Sequence, residues 1–151
     1  MKKDRTAAGN GGIMSREQEI REAIQAGNRA LSALRTANDR LESAGNWGLF
    51  DMFTRGGIIS HVIKHDRMDE ARQYMDEARR ALTVFRRELG DVEQLEDVSL
   101  DVGSFLSFAD FFFDGLFVDW MVQSRIREAQ RKISGCISQV ERLTAQLRGL
   151  L

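Results

Sequence analysis

Proline is absent from this 151-residue chain, so no helix in it has to kink or stop at one. Cysteine occurs once, at Cys136, which excludes a disulfide framework within one chain. The stretch Met1-Lys2-Lys3-Asp4-Arg5 through Gly11-Gly12 is basic and polar with no apolar run behind it, which does not fit a secretory signal and points to the cytoplasm. Basic residues are missing altogether between Arg87 and Arg125. Nine acids fall there instead: Glu88, Asp91, Glu93, Glu96, Asp97, Asp101, Asp110, Asp114 and Asp119. The remainder holds all 22 basic residues against 14 acids, a polarity that can steer partners or align copies of the chain head against tail. No basic stripe with interleaved aromatics occurs, so a nucleic-acid partner is not expected. Also missing are a Gly-rich phosphate loop, a serine-elbow pattern, a CxxC pair and a zinc-protease motif, and no catalytic residue is assigned.

What is present is heptad spacing. Phe105, Phe108, Phe112, Gly115, Asp119, Val122, Ile126, Ala129, Ile133, Cys136, Val140, Leu143, Leu147 and Leu150 recur at alternating intervals of three and four, which keeps one seam turned toward a partner helix. Cys136 falls on that seam as a buried, inert thiol. Ser15 and Gln18 have capping-box form and open a first helix. Its seam reads Ile20, Ile24, Gly27, Leu31, Leu34, Asn38 and Leu41, with Ala23, Ala30, Ala37 and Ala44 beside it and Gly45-Asn46 as a stop. A second seam runs through Ala71, Met75, Ala78, Leu82, Phe85 and Leu89, followed by Gly90.

These patterns predict an all-α fold: an elongated antiparallel helical bundle or coiled coil of three main helices, at about 15–44, 58–89 and 104–149. Residues 1–14 form a disordered basic leader, 15–151 a single helical domain, and 91–103 an acidic linker in which Val98, Leu100 and Val102 alternate as in a strand. Extended, that linker would reach about 40 Å and could carry the chain back along the second helix. The third helix would be about 69 Å long, more than either other helix covers. Between Phe105 and Val122 it is apolar nearly all round, which calls for burial on every side. Three aspartates in that stretch argue against a membrane span. A second copy of the chain would supply the cover, so the expected partner is the chain itself, as a homo-oligomer and most simply a twofold dimer, with another protein as a further partner. The interaction residues are Trp47, Phe50, Phe53, Phe105, Phe108, Phe112, Phe113, Phe117 and Trp120, and the aromatic segments around Trp47 and Phe112 are expected to pack together.

Chemistry-bearing groups lie in the same segments. His61, His65 and Asp69 stand four apart on one helix face, a workable ligand set for a divalent metal, and Asp110 and Asp114 share that spacing and could complete it. The plainer reading pairs Asp69 with Arg72 or Lys64 and leaves Asp110, Asp114 and Asp119 as helix-surface charges. The Glu-x2-His pairs of di-iron bundles are absent. The sequence therefore points to a non-catalytic interaction or scaffolding protein. A metal-binding enzyme or sensor is the first alternative, and a peripheral membrane adaptor exposing Trp47, Phe50 and Phe53 is the second.

The run Phe108-Ala109-Asp110-Phe111-Phe112-Phe113-Asp114-Gly115-Leu116-Phe117, with Trp47-Gly48, Gly56-Gly57 and Lys64-His65, resembles a pattern in functionally unassigned bacterial proteins with predicted coiled coils. The resemblance covers roughly residues 30–150 and implies no activity, cofactor or site residue.

Overall fold

The computed structural model describes the backbone at residues 9–54, 58–95, 97–114 and 126–151, and the side chains at 16–43, 69–95, 97–114 and 126–151. Four helices make up nearly all of it: α1 (Gly9–Thr54), α2 (Ile58–Glu93), α3 (Gly103–Phe113) and α4 (Ile126–Gly149). The described residues contain no strand.

Pair contacts show how the helices run. Gly27 of α1 lies against Phe85 of α2, and farther along α1 Arg40 reaches back to Glu70 (3.2 Å) and Tyr74 (5.0 Å from the guanidinium carbon to the ring centre). Progress along α1 is matched by retreat along α2, so the two are antiparallel. In the same way Gly27 meets Thr144, Asn28 accepts from Arg148, and Arg35 pairs with Glu141, which sets α4 antiparallel to α1.

The expected third helix is two helices. Asp101 pairs with Arg142, Phe108 lies on Gly135, and the Phe111 ring sits under Lys132, again forward along one element and back along the other. A straight helix over 104–149 would hold Asp101 and Arg142 about 60 Å apart. Instead α3 ends at Phe113, where the Asp114 amide donates to the Asp110 carbonyl at 3.0 Å, and α3 lies alongside α4. In the described part of the apolar stretch, this fold-back leaves Phe105, Ala109, Phe111 and Phe112 buried and Leu106 and Phe108 exposed. Phe105 and Phe112 are fully buried, and Phe105 meets Phe85 edge to face at 5.4 Å, which brings α3 against α2 as well.

Two other boundaries differ from expectation. The first helix begins at Gly9, so Ser15 lies inside it, and it passes through Gly45-Asn46 to Thr54. Glycine weakens a helix by about 1 kcal/mol but removes no hydrogen bond, and no proline follows to force an end. The second helix likewise continues through Gly90 to Glu93.

The core is a set of heptad seams. On α2, Ala71, Met75, Ala78, Leu82, Phe85, Leu89 and Val92 are all buried; on α4, Ala129, Ile133, Cys136, Val140, Leu143 and Leu147 are. On α1 the seam is Ile20, Ala23, Gly27, Ala30, Leu34, Ala37 and Leu41, so Ala23, Ala30 and Ala37 occupy it; of the expected members beside it Leu31 is buried, while Ile24 and Asn38 stand half-buried. Small residues there let α2 and α4 approach closely enough to bury their larger ones, at roughly 1.5–3 kcal/mol per enclosed large apolar side chain.

The linker turns twice, Leu95 amide to Val92 carbonyl (3.0 Å) and Val98 amide to Leu95 carbonyl (3.3 Å), before its alternation begins. Leu100 is then buried while Ser99 and Asp101 face water. Two arginines pin it. Arg16 of α1 holds the Asp97 carboxylate at 2.9 Å and donates to the Leu150 carbonyl at 3.3 Å, and Arg142 of α4 donates to the Asp101 carbonyl at 3.2 Å. Because α3 starts beside Phe85, the chain reverses at once rather than running back along α2.

Candidate functional site

The metal set expected from sequence divides between described and undescribed groups. The side chains of His61 and His65 lie outside the described residues. Asp69 is exposed on α2 with Arg72 at 3.9 Å, the plainer of its two readings. Asp110 is exposed on α3 and Asp114 caps its end, and no carboxylate triad at metal-holding spacing includes any of these three among the described residues.

Such a triad occurs elsewhere. Glu19 of α1 and Glu88 and Asp91 of α2 bring carboxylate oxygens within 4.8 Å of one another, with Glu19 only 8% exposed. Burial, followed by the charges of Glu22, Asp91 and Glu19, pushes the Glu88 carboxyl above its ordinary value, against a smaller opposing pull from Arg87. Carboxylates held this close relieve their repulsion by sharing a proton or by taking up a hard cation. The linear pattern hid this cluster because its members come from two helices. With α1 and α2 antiparallel and Gly27 against Phe85, Glu19 and Glu22 fall opposite Glu88 and Asp91.

The expected interaction residues also divide. Trp47, Phe50 and Phe53 have side chains outside the described residues, and Phe117 and Trp120 lie outside them altogether, as does the expected packing of Trp47 near Phe112. Phe105 and Phe112 are fully buried within the chain, so neither can dock a partner. Phe113 is half-buried beneath Arg86, whose guanidinium carbon stands 4.1 Å from the ring centre. Phe108 is 36% exposed, in an open groove between α3 and α4 walled by Glu128, Arg131 and Lys132. Gly135 makes its position possible, since a Cβ there would overlap the edge of the ring.

The outermost positions of α3 and α4 are charged. At 100° per residue, Asp110 and Asp114 point away from the buried Phe105–Ala109–Phe112 face of α3. Arg127 and Arg131 point away from the Ala129–Ile133–Cys136 face of α4. Leu106, 38% exposed, lies on the opposite flank of α3 from Phe108. Cys136 is buried, and the loss of water pushes its thiol up to about 12, which makes it a packing residue. Among the described residues no helix is long and apolar enough to cross a membrane. No family model, curated protein or solved structure matches the chain.

Proposed function

We propose that this chain is a non-catalytic helical interaction module, an antiparallel coiled-coil-type bundle that associates with itself. The supporting observation is Phe108: alone among the aromatic rings of α3 it is more than one-third exposed, and it stands in a groove with charged walls while Phe105, Phe111 and Phe112 are buried. Self-association no longer has to cover an over-long third helix, because α3 and α4 cover each other, so the reading rests on this outer face. Sedimentation of the full chain across the micromolar range tests it. Self-association that Phe108→Ser weakens without lowering the melting temperature supports the module, and a wild-type monomer throughout overturns it. The metal reading calls on His61 and His65, and elemental analysis of protein purified without a His tag decides it. The membrane-adaptor reading, built on Trp47, Phe50 and Phe53, is decided by liposome flotation.

A further inference from the structure

Among the described residues the large apolar side chains more than one-third exposed are Leu106, Phe108 and Leu151. Two of these share α3, where Leu106 and Phe108 stand about 160° apart round the helix and so belong to opposite flanks. Each flank has its own dominant charge. Asp110 lies about 40° from Leu106 and Asp114 about 80°; both are exposed, and neither makes an ion pair among the described residues. Arg86, stacked on Phe113, borders the same flank on its α2 side. The groove at Phe108 is basic instead, walled by Arg131 and Lys132 with Glu128 as the opposing charge. Arg131 makes no ion pair among the described residues, and Lys132 stands 5.7 Å from the centre of the Phe111 ring. Each patch thus joins one exposed apolar residue to two charges of one sign and one of the other, and the signs are inverted between the two.

We propose that copies of this chain join head to tail, the Leu106 flank of one seated in the Phe108 groove of the next. Leu106 packs on Phe108 at the centre, and Asp110 and Asp114 lie against Arg131 and Lys132 around it. The partner is a second copy because one chain carries both halves of the contact, matched in charge and each with an apolar centre. Groove against groove would set cations on cations, and flank against flank acids on acids, so the charges select the mixed pairing. Patches on opposite flanks of α3 cannot both be filled by one mate. The contact is therefore heterologous, and every copy added leaves one patch of each kind open for the next. One leucine on one ring is a modest apolar anchor, which puts the contact among small, weak interfaces. This inference rests on the reading of the chain as a self-associating module and names the two surfaces and the way they meet.

Two variants of the full chain, each spoiling one patch, test it: Leu106→Ser with Asp110→Lys, and Phe108→Ser with Arg131→Glu. All four positions are exposed, and circular dichroism checks that the helices are kept. Wild type should grow past the dimer as its concentration rises in sedimentation velocity, and salt should weaken that growth. Each variant alone should associate at least roughly tenfold more weakly. Mixed in equal amounts, the two should form a one-to-one dimer at wild-type strength and stop there, because the first keeps the groove and the second keeps the flank. Native mass spectrometry reads that species. The charge-only changes Asp110→Lys and Arg131→Glu leave both apolar residues in place; each should weaken association, and the two combined in one chain should restore part of it. A wild type that stops at the dimer, a variant that pairs with itself as wild type does, or a mixture without the mixed dimer would overturn the head-to-tail contact while leaving self-association standing. A wild-type chain that stays monomeric removes the contact and the interaction reading together.

Discussion

Two glycines, Gly27 and Gly135, each receive a neighbour's side chain, and the two places differ in what surrounds them. A Cβ on Gly27 would meet the Thr144 methyl and the Phe85 ring, both belonging to fully enclosed residues where α1, α2 and α4 converge. The nearest atoms to a Cβ on Gly135 would be those of Phe108, whose ring is one-third exposed. The first notch closes a core and the second seats a surface ring. Close-packed seams have no room to give, whereas a half-exposed ring can swing away, so the same substitution should cost very different amounts at the two sites.

The largest effect tests the closed region. Phe85→Ala removes the ring that touches Gly27 and stacks edge-on with Phe105, and it should cost about 3–5 kcal/mol in urea unfolding. Gly27→Ala should follow, at about 1–3 kcal/mol from overpacking, partly offset by alanine's better helix propensity. Thr144→Ser, which deletes the offending methyl and keeps the hydroxyl bond to the Glu141 carbonyl, should recover much of that loss when combined with it. Additive losses in the double variant would mean the notch is not where α1 and α4 touch.

A smaller effect of opposite sign is expected at the acidic end of α1–α2. The folded-state pKa of Glu88 is raised, so its stabilising contribution is fully present below the unfolded value, near 4.5, and is lost as pH rises through the folded value. Glu88→Gln should therefore raise the melting temperature near neutral pH by up to a few degrees and lose that advantage in mild acid. Equal melting temperatures at neutral pH would show that the carboxylates are not strained there. The smallest change in stability belongs to Gly135→Ala. Its helix gain of about 1 kcal/mol offsets the displacement of Phe108, leaving thermal stability nearly unchanged while self-association falls.

Heptad spacing was enough to read the seams from Ala71 to Leu89 on α2 and from Ala129 to Leu147 on α4, because an interior seam leaves an unambiguous trace when every member is apolar and large or clearly small. On α1 the same reasoning favoured Ile24 and Asn38 over Ala23 and Ala37, since hydropathy gives no credit for the close approach that alanine permits. The reversal after Asp114 was hidden for another reason: the three-four spacing continues across it, and spacing says which face is apolar without saying whether that face meets another helix or the same chain folded back. Asp114-Gly115 and the lone Gly135 opposite Phe108 were the available signals. The Glu19–Glu88–Asp91 cluster depended on the register of α1 on α2, which the spacing within each helix does not carry.

The fold-back of α3 onto α4 is the step on which the core and the exposed Phe108 both depend. A spin-label distance between Ser104→Cys and Ser138→Cys in a Cys136→Ala background tests it directly. Both labelled positions are exposed, and the register of Phe108 on Gly135 places them side by side. The account predicts a distance below about 25 Å, allowing for the label arms, whereas a distance near 50 Å, roughly the span of one continuous helix over those residues, would contradict it.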